Sequence, residues 1–220
     1  MTNRPSVAAI IPAYNEELTV ADVVRVAALS PLVDEVIVVS DGSTDKTVAR
    51  AEQAGAITLA FPENQGKGSA MTSGVVATQA PVVLFLDADL RGLTADHIER
   101  LLLPVLSGAR AMNVGLRDRG FLVGLMRHLP LIGGERAMKR EVFERVHRRF
   151  LGRFMVESVL NYSCRSRGED YGSVVLPGLS IRRKYQKVGM RRALGEYIKM
   201  GFQVAYGMAL VRLARLVGKF

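Results

Sequence analysis

Apolar residues in the first half of the chain gather into short runs closed by polar residues, and between the runs they recur at helical spacing. "VAAIIP" (7–12) is an apolar run ended by proline, the pattern of a buried parallel strand. "EELTVADVVRVAAL" (16–29) then sets Leu18, Val20, Val23, Val24, Ala27 and Ala28 along a helix. A second strand is predicted at "EVIVVS" (35–40), followed by a helix capped by Ser43 or Thr44 that runs to about Gln53 and is closed by Gly55. Residues 56–61 read as a third, weaker strand. A helix over 67–79 follows a glycine-bearing turn, and the fourth strand spans 82–87. Thr94 caps a helix over 95–107, and 109–117 predicts a further strand.

Four strand–helix units in succession predict an α/β fold with a parallel, doubly wound sheet. Ligands of such sheets bind at the carboxyl ends of the strands. Here those ends read "AYNE", "DGSTD", "ENQGKG" and "DAD", polar in every case. The second half is less regular. Residues 115–146, rich in glycine and arginine, predict a loop, a short strand at Glu135–Lys139 and a helix at Arg140–Val146. Helices are predicted over 153–166 and 193–217, and a strand over 172–177.

Composition narrows the picture. The 220 residues suit one substantial domain. A single cysteine, Cys164, excludes an intrachain disulfide, and the scattered His97, His128 and His147 offer no zinc spacing. No apolar run reaches the roughly 20 residues of a spanning helix. No basic segment followed by an apolar one opens the chain, so a cytoplasmic location is expected. Residues 1–109 carry 7 basic and 13 acidic side chains, a net of −6, whereas 110–220 carry 23 and 8, a net of +15. A basic half suits an anionic partner, and it equally describes a solvated basic surface. With few aromatics among those charges and no nucleic-acid module, a nucleic-acid partner is not expected.

The strand ends carry the candidate chemistry. Asp87 and Asp89 flank a single alanine, and in an extended chain both carboxylates face one side. Such a pair repels unless a cation lies between, and a hard divalent ion would satisfy both. The alternative is one aspartate capping a turn and one solvated. "NQGKGSA" (64–70) places Gly66, Lys67 and Gly68 before a helix, which suits a diphosphate as well as a plain glycine turn. Its spacing is neither that of a Walker A loop nor that of the dinucleotide fingerprint. Asp41, at the tip of the second strand, can accept from a ribose hydroxyl or a base N–H. Tyr14 offers a stacking surface, and Asn15 and Glu16 are hydrogen-bonding or turn residues.

In order and spacing, "IIPAYNEELTV", "VIVVSDGSTDKTVARA", "NQGKGSAMTSGV" and "VVLFLDADL" closely resemble the family 2 glycosyltransferases of GT-A fold, over about residues 5–117. The resemblance implies a mainly parallel central sheet flanked by helices and a UDP- or GDP-sugar donor. It implies that Pro12, Tyr14 and Glu16 border the nucleoside, that Asp41 holds base or ribose, and that Lys67 lies near the nucleotide. Asp87 and Asp89 would be the D-x-D pair that grips the diphosphate with Mg²⁺ or Mn²⁺. Many members have two consecutive aspartates before the Gly-Ser, and Ser40 replaces the first here.

Residues 130–146 and 154–159 are similar to glucosyl-3-phosphoglycerate synthases and related small glycosyltransferases. That likeness implies an acceptor loop of Gly133, Gly134 and Glu135, and a helix presenting Glu157 as a carboxylate able to take a hydroxyl proton. Relatives often carry a histidine after the last core strand as a third metal ligand. The corresponding stretch 178–189 has none, and Ile181 stands in its place. The chain thus divides into a donor half (1–117), an acceptor half (118–192) and a C-terminal amphipathic helix (193–220). Segment 199–220 combines Phe202, Leu210 and Leu213 with Lys199, Arg212 and Arg215. It would lie on the inner face of an anionic membrane, beside a polyprenyl phosphate, or pack on the core or in a homodimer interface. The expected reaction is metal-dependent transfer of a sugar to an anionic or lipid-linked acceptor. The alternatives are transfer to a soluble acceptor such as phosphoglycerate, or a catalytically weak sugar-nucleotide-binding protein.

Overall fold

The computed structural model describes residues 4–117, 133–146 and 156–181. The element order is β1 (Val7–Ala13), α1 (Val20–Ala28), β2 (Glu35–Ser40), α2 (Thr47–Gln53), β3 (Ile57–Ala60), α3 (Lys67–Val76), β4 (Val82–Phe85), β5 (Leu90–Arg91), α4 (Ala95–Leu106), β6 (Met112–Arg117), β7 (Arg136–Lys139), α5 (Arg140–Glu144), α6 (Val156–Ser166), β8 (Tyr171–Leu176) and β9 (Ser180–Ile181). The helix predicted at 193–217, and with it segment 199–220, lies outside the described residues.

Seven strands form one sheet in the order β3-β2-β1-β4-β7-β6-β8. β3, β2, β1 and β4 are parallel, as are β6 and β8, whereas β7 runs against both β4 and β6. The nearly continuous apolar sequence of β1, β2 and β4 follows from burial on both faces. Val7, Ala9 and Ile11 of β1 pack with Val23 and Val24 of α1 and Leu101 and Leu102 of α4. Ile10, Val83, Phe85 and Met138 face the other side, against Met71 of α3, Phe143 of α5 and Leu160 of α6. The Phe85 and Phe143 rings meet at 5.3 Å between centroids, a tilted pair of the kind that adds to simple burial.

The helices begin and end for local reasons. Thr94 caps α4 in a reciprocal box: its hydroxyl accepts from the His97 N–H while its own N–H donates to His97 Nδ1. His97 Nε2 then lies 2.9 Å from the Pro177 carbonyl, which joins the start of α4 to the end of β8. α1 starts at Val20 rather than near Glu16, because residues 17–19 form a turn in which the Thr19 and Val20 N–H groups return to the Glu16 carbonyl while the Glu17 N–H donates to Asp45 Oδ2.

Candidate active site

The ends of β1, β2 and β4 and the last residue of β6 meet at one edge of the sheet. Because β7 is antiparallel, its amino end, the Gly133–Arg136 stretch, comes to that same edge.

At the end of β1 the chain turns at Asn15, with a φ of 54°. Asn15 N–H donates to Ser43 Oγ at 3.1 Å, and Asn15 Oδ1 accepts from Thr44 N–H at 2.9 Å. Ser43 and Thr44 therefore tie the β2–α2 turn to β1 and do not cap α2. That helix begins at Thr47, whose N–H donates to Asp45 Oδ1 at 3.0 Å. Tyr14 is left 50% exposed at the rim, while Glu16 is buried and Pro12 partly so.

Asp41 follows β2 and is buried. Its Oδ1 accepts from Gln65 N–H at 2.7 Å and its Oδ2 from Gly66 N–H at 2.8 Å. The carboxylate thus pins the glycine turn before α3 to the tip of β2. The Gln65 and Gly66 amides of the turn are thereby bound to Asp41. Gly42, at φ 73°, permits the approach, since a Cβ there would stand 2.5 Å from Asn64 N.

Lys67, the first residue of α3, reaches across the edge. Its Nζ lies 2.7 Å from Asp87 Oδ1 and 3.5 Å from Oε1 of Glu157, in the first turn of α6. Arg117 closes the other side. Its Nη2 lies 3.4 Å from Asp87 Oδ2 and 2.9 Å from Glu135 Oε1. Gly134 packs on the same aspartate, where a Cβ would fall 2.2 Å from Asp87 Oδ2. The structure thus brings Lys67, Asp87, Gly134, Glu135 and Glu157 together, while Asp41 acts on them only through the glycine turn.

β4 ends at Phe85, and Asp89 lies in a turn with Ala88. The pairing of the two aspartates is therefore set by that turn and not by strand alternation. Asp89 is partly exposed; against desolvation, the Arg117 pKa is raised by the charges of Glu135, then Asp87, and least by Asp89. β5 starts at the next residue and pairs with β9, placing Leu90 opposite Ile181. Ile181, where a third metal ligand was sought, thus pairs beside the aspartate turn and carries no donor atom.

Electrostatics bind the cluster. Desolvation alone would lower the Lys67 pKa, but the charges of Asp87 and Glu157 and the bond to Asp87 outweigh it and raise it above the ordinary range. For Asp87 desolvation works upward, and Lys67, then Arg117, outweigh it and hold the carboxyl below its usual value. Glu135 is fully buried and is pushed upward by desolvation and then by Asp87, against the pull of Arg117. Among the described residues Glu135 Oε2 and Arg117 Nε have no hydrogen-bond partner. Such groups are commonly satisfied by water or a polar ligand.

Arg117 and Arg136 were not singled out from the sequence. Arg136 opens β7 and is fully buried, and Phe85 and Val114 are its strand neighbours. A signal existed: in "ERAMK", strand alternation puts position 136 on the face of Met138, so a charge is directed into a core.

Asp87 and Asp89 offer hard oxygen donors of the kind that suits Mg²⁺ or Mn²⁺, and the absent side chain at Gly134 leaves room beside Asp87 Oδ2, which also faces Arg117. Among the described residues no group of three or more His, Cys, Asp or Glu is placed to hold a metal. Two carboxylates leave the remaining positions to other oxygens, as Mg²⁺ sites commonly do.

A family model described as glycosyl transferase family 2 matches residues 8–160, more than half of the chain. The chain belongs to that family. Its sheet and helices are those of the GT-A glycosyltransferases. Among curated proteins it is 37% identical over 111 residues to glucosyl-3-phosphoglycerate synthase of Mycolicibacterium smegmatis, a match covering 46% of this chain and 37% of the relative. It is 32% identical over 105 residues to 4,4'-diaponeurosporenoate glycosyltransferase of Staphylococcus aureus, covering 46% of this chain and 28% of the relative. The matched region therefore spans about a third of the curated relatives' length. Among solved structures, glucosyl-3-phosphoglycerate synthase of Mycobacterium tuberculosis with Mg²⁺ and UDP superposes with a TM-score of 0.78 at 26% identity, over 93% of this chain and 78% of that one. The same enzyme with Mn²⁺, UDP-glucose and phosphoglyceric acid gives 0.77 at 28%, over 92% and 78%.

Proposed function

We propose that the chain transfers a sugar from a UDP-sugar to a phosphorylated acceptor, with Mg²⁺ or Mn²⁺ held by Asp87 and Asp89. The observation that carries this reading is the cluster in which Lys67 bridges Asp87 and Glu157 while Arg117 bridges Asp87 and Glu135. It joins the donor-side strand ends to the Gly133–Glu135 turn. The solved relatives bind Mg²⁺ or Mn²⁺, UDP and phosphoglyceric acid, which supports a phosphorylated small acceptor over a lipid-linked one.

When bound, the metal would draw charge from the diphosphate as the bond to the sugar breaks. Lys67, kept protonated by its carboxylate neighbours, supplies a fixed cation beside the leaving group, where developing negative charge is most in need of one. Asp41 sets the turn from which Lys67 projects. Tyr14, exposed at the rim, offers its ring to the base, and Pro12 and the buried Glu16 would border the nucleoside. On the acceptor side Glu157, with Lys67 beside it, would take the proton of an acceptor hydroxyl.

The test is UDP or GDP release from a panel of nucleotide sugars, with and without Mn²⁺, offered phosphoglycerate, glycerol 3-phosphate or polyprenyl phosphate in anionic vesicles. Metal-dependent turnover of a UDP-sugar with a soluble phosphorylated acceptor, lost in Asp89→Ala, is the expected result. Turnover with the vesicle substrate alone would move the acceptor to the lipid-linked class and bring segment 199–220 into play. Turnover that ignores both metal and Asp89→Ala would remove the donor assignment.

A further inference from the structure

The fully buried Arg136 has no part in the chemistry above, and its cost calls for an account. Burying a guanidinium is expensive unless paired, and replacing buried ionic groups by apolar ones of similar size is often neutral or stabilising. Desolvation works against its charge, and the nearby charges of Glu157, then Glu135 and Asp87, favour it, yet among the described residues its hydrogen bonds go to uncharged atoms. Nε and Nη2 donate to the Gly133 carbonyl at 3.2 and 2.6 Å, and Nη1 donates to the Glu157 carbonyl at 3.4 Å. Nη1 also lies 3.9 Å from Met112 Sδ. The fork thus spans the two segments that carry the acceptor side, the turn before β7 and the first turn of α6. A carbonyl in the first turn of a helix normally serves the fourth residue on, and its second lone pair is free for an outside donor. Arg136 uses that lone pair at the residue whose side chain faces Lys67. The rigid, planar guanidinium reaches two acceptors in a fixed geometry, which lysine and methionine cannot do.

We propose that Arg136 is a positioning residue that sets the spacing between the acceptor turn Gly133–Gly134 and Glu157. This rests on the transferase reading above, in which Glu157 acts on the acceptor. Glu157 is held from two sides: Lys67 meets its carboxylate, and Arg136 fixes the main chain beneath it. The sheet supplies the rigid base, because Arg136 is bracketed by β4 and β6 at its own register positions.

The experiment compares wild type, Arg136→Met, Arg136→Lys, Glu157→Gln and the Met/Gln double variant as the full chain. Hydrogen exchange is followed in peptides covering 133–139 and 156–166, with UDP–Mn²⁺ affinity and turnover of UDP-glucose with phosphoglycerate. Arg136→Met is expected to melt below the wild-type temperature, because it leaves Glu157, Glu135 and Asp87 with less compensation. Arg136→Lys, which keeps a charge, should melt nearer to wild type. Arg136→Met is also expected to exchange faster in both peptides. It should bind UDP–Mn²⁺ as wild type does and lose about a hundredfold in kcat, the scale of a small misplacement of reacting groups. Arg136→Lys, which restores the charge but not the fork, should recover little of the loss. In the Glu157→Gln background the Met substitution should add almost nothing, since the two act as one unit. Unchanged exchange in either peptide would overturn the proposal, as would an equal loss in kcat in both backgrounds or a UDP affinity that falls with turnover. If Arg136→Met does not fold, exchange in Arg136→Lys decides by the same criterion. A wild type silent toward phosphoglycerate would sink the transferase reading on that acceptor, and exchange would still decide the clamp.

Discussion

Lys67 Nζ sits 2.7 Å from Asp87 Oδ1, so an aspartate proposed to bind metal carries an ammonium counter-ion in its resting arrangement. Removing that ammonium leaves Asp87, Glu135 and Glu157 with less compensation. Lys67→Met is expected to lower kcat/KM for the UDP-sugar by about a hundredfold, the scale of losing one stabilising donor at a developing charge. It should also change acid stability. Asp87 titrates below its ordinary 3.8 in the fold, so the pair's contribution is full above that value and is lost as pH falls through the lower folded pKa. Urea midpoints against pH should show a steeper acid limb in wild type than in Lys67→Met.

Asp41 offers a separate test, because its carboxylate spends both oxygens on the backbone of the Lys67 turn. Asp41→Ala leaves two N–H groups without their acceptor and should cost about 3 kcal/mol in urea unfolding, the range for losing bonds to a charged group. Asp41→Asn keeps one acceptor and should cost roughly half as much on the same scale. Both should raise the KM for the donor, since the turn that presents Lys67 loosens. An Asp41→Ala protein as stable as wild type would show that the turn holds without it.

Gly134→Ala brings a methyl group against Asp87 Oδ2. The cluster must shift by an ångström or more. Expected are a folded protein with a thermal midpoint near wild type and turnover lower by about a hundredfold. Circular dichroism and initial rates measured side by side check it.

Away from the edge, Gly74 of α3 lets the helix lie on β1, where a Cβ would come within 2.3 Å of Ile10 Cγ2. Gly74→Ala should destabilise by about 1–3 kcal/mol, the usual cost of overpacking. Pairing it with Ile10→Ala should return less than the sum of the two losses, a coupling that a double-mutant cycle reads directly.

Cys164 is buried on α6, and desolvation, then the charge of Glu169, pushes its thiol up to about 12. A neutral, shielded thiol reacts slowly. Labelling by a thiol reagent at mild alkaline pH should therefore follow unfolding, rising in step with urea-induced loss of structure. From its ordinary 9.0 up to about 12 the unfolded chain releases a proton that the folded chain keeps, so this group makes stability fall as pH rises.

The donor side was legible because parallel strands buried on both faces announce themselves as apolar runs, and their polar ends fall in fixed places. "VAAIIP", "EVIVVS" and "VVLF" all became strands of the sheet. What pattern could not convey was direction and partnership. Nothing in "RAMK" says that β7 runs backward, yet that reversal carries Gly134 and Glu135 to the donor edge. Ser43 and Thr44 have the chemistry of caps, but their hydroxyls are used by the β1 turn, a contact distant in sequence. Asp41 reads as a ligand group because a strand-tip carboxylate can serve a ribose as well as a backbone amide, and its oxygens have acceptor sites for both. Only the folded turn shows which amides are within reach.

The β5–β9 ribbon bears on how far the molecule can be divided. Residues 1–117 hold every donor-side residue named from the sequence, and so suggest a cassette that could be cut out or grafted. Yet the strand that follows Asp89 has its partner in Ser180–Ile181. A polypeptide still on the ribosome, with only its first hundred-odd residues made, would own both aspartates without the clasp beside them. Residues 1–117 are a stretch of sequence whose strand β5 finds its partner only in residues synthesised long after it.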